Sequence, residues 1–345
     1  MRKMTRSRAP AGLVGLLLGV TVLAGCGGGT SAAVPSITLY NGQHVQTTAA
    51  LVSAFEKQTG IHVNVRNDDE DVFANQIVQE GSRSPADVVY TENSPPLEFL
   101  QEHGLLSVVH ASTRSLVAAS YSSPRREWVG VSARSSVMVY NTDLLKADQL
   151  PRSVMDLAEP RWRGKLALAP GETDFQPIVT SIALRYGKAA ALTWLQAVKA
   201  NAASHIYPDN ETLTDMVNRG QAAIGIINHY YWYRLSYDVG ASQMHSAIAY
   251  FAPGDAGWVI DVSGAAVLKS SQHQKAAQQF LAFLVSRAGQ EIIADGQSYE
   301  YPLGSGVTTS KDLRPFDTLQ PAPISVAQLG DGSEAVALLQ KAQLL

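Results

Sequence analysis

Tyr230 and Tyr231 stand side by side in the segment Asn228-His229-Tyr230-Tyr231-Trp232-Tyr233-Arg234, directly after an apolar run over residues 222–227. A phenol that loses its proton becomes a hard anionic oxygen donor, and two neighbouring phenols converge only in some backbone conformations. On a strand they point to opposite faces, whereas on the first turn of a helix they lie about 100° apart. The apolar run therefore reads as a buried strand ending at Asn228, with the tyrosines opening a helix. Unpaired N–H groups and the positive dipole end there favour the phenolate. The aromatics Tyr230, Tyr231, Trp232 and Tyr233 serve equally well as packing residues that hydrogen-bond through their tips. This stretch alone leaves both readings open.

The elements that must position such a site begin near residue 36. Residues 37–40 read as a strand, 46–58 as a helix stopped by Gly60, 61–65 as a second strand, 70–80 as a helix and 86–90 as a third, buried strand. Glu70 and Asp71 suit the amino end of their helix. This alternation with short connections predicts a parallel sheet covered by helices. In such sheets, functional groups gather past the carboxyl ends of the strands. Asn41-Gly42-Gln43-His44 follows strand one and Thr91-Glu92-Asn93-Ser94-Pro95-Pro96 follows strand three. Singly, His44 reads as a helix cap and Glu92 as a solvated acid; their shared placement makes them candidates for one site.

Residues 1–8 carry Arg2, Lys3, Arg6 and Arg8 without an acid, and residues 11–23 are apolar, the pattern of a signal peptide over 1–25. The run ends in Leu23-Ala24-Gly25-Cys26, which resembles the lipobox of bacterial lipoproteins. The resemblance implies an exported chain anchored to the membrane by lipid on Cys26, with residues 26–35 as a flexible tether. Cys26 is the single cysteine, so internal disulfides and cysteine-based metal sites are excluded. Removing 1–25 leaves 23 basic against 30 acidic residues, a formal charge of −7. A mildly acidic domain without a basic stripe argues against nucleic acid as a partner. No G-x-S-x-G elbow or H-E-x-x-H pair is present, and the eight histidines are scattered, which argues against a hydrolase and for a protein that is not an enzyme.

Four segments together carry a wider resemblance: Tyr40-Asn41-Gly42-Gln43-His44, Val89 to Pro96, Asp209-Asn210-Glu211-Thr212, and Asn228 to Arg234. They are similar to those of ferric-iron-binding proteins in the type II periplasmic binding protein superfamily, in register from about residue 36 to the carboxyl terminus. The resemblance implies that His44, Glu92, Tyr230 and Tyr231 coordinate Fe³⁺, and that the partner is the permease of an iron-importing ABC transporter. The chemistry agrees: a small trivalent ion prefers hard oxygen donors and tolerates imidazole. Two phenolates and one carboxylate cancel its charge. Acid or reduction would discharge such a site.

Four protein ligands leave about two positions of an octahedral ion open. The resemblance implies that water or a synergistic anion such as phosphate or carbonate fills them, with Asn93, Thr173, Asn210 and Asn228 as anion contacts. Family members often carry a Ser-Gly-Ala-like loop there, whereas this chain has Pro170-Gly171-Glu172-Thr173-Asp174-Phe175. Glu172 or Asp174 would repel phosphate unless it points away or itself replaces the anion. Val45 stands where some relatives place a further tyrosine. Arg234, one helical turn beyond Tyr230, reads either as a partner for a ligand carboxylate or phenolate or as a surface residue.

The expected architecture is an α/β, two-lobed type II periplasmic binding protein fold, each lobe a mostly parallel sheet flanked by helices. Residues 128–140 and 257–268 read as antiparallel hinge strands. Lobe 1 is expected over 36–136 and 261–311, and lobe 2 over 137–260 and 312–345. In lobe 2 a strand over 165–169, helices over 174–185 and 188–199 and a segment over 210–218 lead to the tyrosine strand. His44 and Glu92 then belong to one lobe and the tyrosines to the other, so hinge closure and metal occupancy are coupled. The chain is expected to act as a monomer. The alternative on the same fold is a binding protein for an organic solute or oxyanion on which the tyrosines stack.

Overall fold

The computed structural model describes residues 35–345. The signal peptide, Cys26 and all of the tether except Pro35 lie outside the described residues. The chain runs β1 (Ser36–Gly42), α1 (Val45–Thr59), β2 (His62–Asn67), α2 (Glu70–Glu80), β3 (Val88–Thr91), α3 (Pro95–Glu102), α4 (Ala111–Arg114) and β4 (Val129–Asn141). It continues through β5 (Leu166–Ala167), α5 (Gln176–Tyr186), α6 (Lys188–Ala202), α7 (Asn210–Asn218), β6 (Ile224–Asn228), α8 (His229–Val239), β7 (Ser246–Ala249) and β8 (Ile260–Val267). The last elements are α9 (Gln274–Leu284), α10 (Arg287–Asp295), β9 (Tyr301–Pro302) and α11 (Ser333–Lys341). None of the described helices is long and apolar enough to cross a membrane.

The local causes are those the patterns suggest. On α1 the buried residues are Thr48, Leu51, Val52 and Phe55, a single helical stripe, and Gly60 closes the helix in the left-handed conformation at φ 69°. Regular structure falls short of expectation in lobe 2. The expected strand over 165–169 is regular only at Leu166–Ala167, with Leu168 bridging to Ile206. Residues 173–175 form a 3-10 turn, and the α-helix starts at Gln176 with Pro177 in its first turn, where a missing N–H goes unnoticed.

The strands are ordered β2-β1-β3-β8-β4-β6-β5, with β7 and β9 also pairing with β4. The β2-β1-β3 and β6-β5 neighbours are parallel. Between them, β8 and β4 run antiparallel. The first half of β4 pairs with β8 up to Ser135↔Ile260, and the second half pairs with β6 from Ser136↔Asn228 onward. One long strand thus serves both lobes. Each lobe packs helices on both sheet faces: Phe55 and Phe280 on one side of the first sheet, Phe73 and Trp128 on the other. In the second lobe, Trp194 and Trp258 lie on one side, and Leu213, Tyr230 and Tyr231 on the other.

Candidate metal centre

β6 delivers Asn228 to the amino end of α8, and the first turn of α8 carries both tyrosines. Their rings are buried among Leu213, Val217 and Ile227, with centroids 4.3 Å apart. The packing and chemical readings of this segment therefore hold together: the rings fill the core while a hydroxyl reaches out of it. The Tyr230 hydroxyl donates to Glu92 Oε1, from the loop after β3, and lies 3.1 Å from Asp174 Oδ2. His44, at the start of α1, places Nε2 3.2 Å from the same Glu92 oxygen. Its Nδ1 faces the Gln43 amide oxygen at 2.5 Å, which leaves Nε2 as the nitrogen directed at the site. The Tyr231 ring lies tilted at 42° beside that of Tyr230.

The expected anion contacts converge on a protein carboxylate. Asn93 Nδ2 lies 3.0 Å from Asp174 Oδ1 and 3.1 Å from Thr173 Oγ1, and Asn210 Nδ2 lies 3.2 Å from Asp174 Oδ2. Two of the four residues named for the anion thus donate to Asp174, and a third, Thr173, accepts from Asn93. Asn228 does not join them; it occupies the cap position of α8 without a side-chain capping bond. The 3-10 turn at Thr173–Phe175 is what swings Asp174 inward. Glu172, beside it, is pushed up to about 8, by burial first and then by Asp174 and Glu92. At neutral pH it is largely uncharged.

Sequence reasoning missed Arg134 and Glu300. Arg134, on β4, is fully buried and pairs with Glu300 at 2.5 Å, with Glu92 at 3.1 Å and more distantly with Asp174 at 3.9 Å. Ser132 also donates to Glu300. A single arginine inside the otherwise uncharged Val129–Asn141 strand was the available signal. Among the described residues Arg234 pairs with no carboxylate: its guanidinium lies 4.8 Å from the centre of the Tyr230 ring, a cation–π contact.

Electrostatics correct the expectation of a resting phenolate. Burial, then Asp174 and Glu92, hold Tyr230 and Tyr231 well above the ordinary phenol range. Carboxylates at hydrogen-bonding range outweigh a helix dipole worth about 0.3–1 kcal/mol. His44 is lowered to about 3, by burial and then by Arg234, so the imidazole is neutral and free to ligate. In this state the phenols keep their protons, and a cation must displace them.

Among the described residues, no group of three or more His, Cys, Asp or Glu side chains is placed to hold a metal. Tyrosine oxygen beside a carboxylate is a hard donor set, suited to a hard, highly charged ion rather than a soft one. A cavity of 680 Å³ opens beside His44 and Tyr231, with Thr47, Glu211 and Arg234 on its walls.

Two lobes sharing one crossing strand, with side chains from both meeting in the cleft, define an extracytoplasmic solute-binding protein. The comparisons agree with that class. The family model for the bacterial extracellular solute-binding protein matches residues 41–291. The Fe(3+)-binding periplasmic protein of Serratia marcescens is 37% identical over 329 residues, covering 95% of this chain and 96% of its own. The major ferric iron-binding protein of Neisseria meningitidis is 36% identical over 316 residues, covering 90% and 93%. Iron-bound HitA from Pseudomonas aeruginosa superposes with a TM-score of 0.85 at 40% identity, over 89% of this chain and 99% of that one. The Trichodesmium IdiA (FutA) protein in complex with iron and citrate ligands superposes at 0.77 with 28% identity, again over 89% and 99%. This chain belongs to the bacterial extracellular solute-binding protein family, and the proteins it resembles over nearly their whole length are binding proteins rather than enzymes.

Proposed function

We propose that this protein captures Fe³⁺ in the cleft between its lobes and delivers it to the permease of an iron-importing ABC transporter. The observation that carries this reading is the meeting of the Tyr230 hydroxyl with Glu92 and Asp174, 138 and 56 residues away in the chain. His44 Nε2, Glu92, Tyr230 and Tyr231 are the ligands, and the hard donor set suits the ferric ion. Asp174 takes the position of a synergistic anion, since it already engages Asn93 and Asn210. Two phenolates and two carboxylates carry four negative charges against three on the ion. Arg134, 3.1 Å from Glu92 but also paired with Glu300, offsets this surplus only in part. Added phosphate or carbonate would only raise it.

Lobe 1 comprises 36–136 and 261–311, and lobe 2 comprises 137–260 and 312–345. Cleft closure brings Glu92 to the tyrosines, so iron stabilises the closed form by its greater affinity for it. The mature protein is exported, held to the membrane by a lipid on Cys26, and acts as a monomer.

The test is a visible absorption titration of residues 36–345, stripped of metal, with a weak ferric chelate in a buffer free of phosphate and carbonate. A tyrosinate-to-iron charge-transfer band saturating at one ion per chain is expected without added anion. Absence of the band from folded protein would overturn the ferric reading and favour an organic solute. A band that appears only with phosphate or carbonate would overturn the role given to Asp174.

A further inference from the structure

Glu70 begins α2 with a carboxylate turned inward and almost wholly buried. It accepts from the Glu92 backbone N–H at 2.6 Å and the Asn93 backbone N–H at 2.8 Å through Oε2, and from the Asn93 side-chain amide at 2.9 Å through Oε1. It thereby grips the turn that presents Glu92. Asn93 Nδ2 donates onward to Thr173 and Asp174, across the cleft, while Asn93 Oδ1 is buried without a partner among the described residues. An amide with its oxygen orphaned is held in that orientation by what its NH₂ meets. Here that is a carboxylate on each side. Glu70 can approach because residue 42 is glycine: a Cβ there would fall 2.6 Å from Glu70 Cβ and 2.7 Å from its Cα.

We propose that Glu70 is a positioning residue for the metal centre, fixing the Glu92 turn and orienting the Asn93 amide so that it presents donors to Asp174. This rests on the ferric reading above. A glutamine at residue 70 keeps an oxygen for the two backbone N–H groups but turns its own NH₂ toward that of Asn93. The Asn93 amide must then rotate and set its oxygen against the Asp174 carboxylate. The effect is specific to the relay, since the turn itself keeps its hydrogen bonds.

The experiment is ferric titration by charge-transfer absorbance on Glu70→Gln, Asn93→Ala and the double variant, with thermal melting of each. Expected are ferric affinities about 10–100-fold weaker for each single variant, the range for losing an outer-shell partner, with a shifted band. The double variant should be no weaker than Asn93→Ala alone. Wild-type affinity and band in folded Glu70→Gln, or losses that multiply in the double variant, would overturn the proposal. If Glu70→Gln does not fold, Gly42→Ala displaces Glu70 without altering its chemistry. A weaker, shifted band then supports the proposal, and an unchanged one sinks it. Failure of the wild-type protein to show any band would instead remove the ferric reading.

Discussion

Asp174 Oδ2 lies 3.1 Å from the Tyr230 phenolic oxygen, so an acid from the turn before α5 shares a hydrogen-bonding site with the first tyrosine of α8. On the proposed reading, a carboxylate so placed excludes an exogenous anion by charge and by occupancy. Replacing it with serine frees Asn93 and Asn210 to hold one. Asp174→Ser is therefore expected to lower ferric affinity in anion-free buffer and to recover part of it on adding phosphate. Wild type should show no such gain. Isothermal titration with and without phosphate distinguishes the two, and equal phosphate dependence in both proteins would contradict the assignment.

The tyrosines differ from their neighbours in what a lost hydroxyl does. Their rings stay packed in Tyr230→Phe and Tyr231→Phe, so melting temperatures should change little. Ferric affinity should fall more than the roughly 10–100-fold typical of outer-shell changes, and the charge-transfer band should weaken in each. Trp232→Phe, whose indole bonds to Ser246 on β7, should leave the band in place.

Both phenols are raised well above their ordinary range and enter the metal-free state protonated. Ferric binding must then release both protons. The apparent association constant should fall about 100-fold for each unit of pH lowered near neutrality, ten-fold per proton. Proton release measured in weakly buffered solution should approach two per ion. A value near zero would mean that the phenols are not the ligands.

The placement of these four side chains was legible because each follows a strand, and a strand end is a local event: β1 before His44, β3 before Glu92, β6 before the tyrosines. The protonation state was not legible. It depends on Glu92 and Asp174, brought to Tyr230 from 138 and 56 residues away, while the helix end that suggested a phenolate is its immediate neighbour. Asp174 itself read either as an obstacle to an anion or as its replacement, since no periodicity encodes the direction of a 3-10 turn. Arg134 escaped notice because its partner Glu300 lies 166 residues on and the pairing exists only where β9 meets β4.

That pair yields a stability prediction. Arg134 and Glu300 are both fully or almost fully buried, and removing Arg134 leaves the Glu300 charge uncompensated. Arg134→Met should cost about 3–5 kcal/mol in denaturant unfolding of the metal-free protein. Combining it with Glu300→Gln should restore much of that loss. Additive losses would show that the two do not act as a pair.

Asp261, on β8 opposite Arg134, contributes to the pH dependence of folding. Burial pushes its carboxyl up to about 6, although Ser94, the Val262 N–H and Arg134 pull the other way. Its Oδ2 is buried without a hydrogen-bond partner among the described residues. The folded state therefore holds a proton that the unfolded chain releases near 3.8. The stability this contributes is complete below that value and is lost as pH rises through about 6. A shift of this size corresponds to about 3 kcal/mol. Asp261→Asn cannot titrate, so the variant should gain on wild type by about that amount between pH 4 and pH 7, measured by urea unfolding of metal-free protein. A constant difference between the two proteins across this range would mean that Asp261 keeps the same charge folded and unfolded, with Arg134 near enough to hold it ionised.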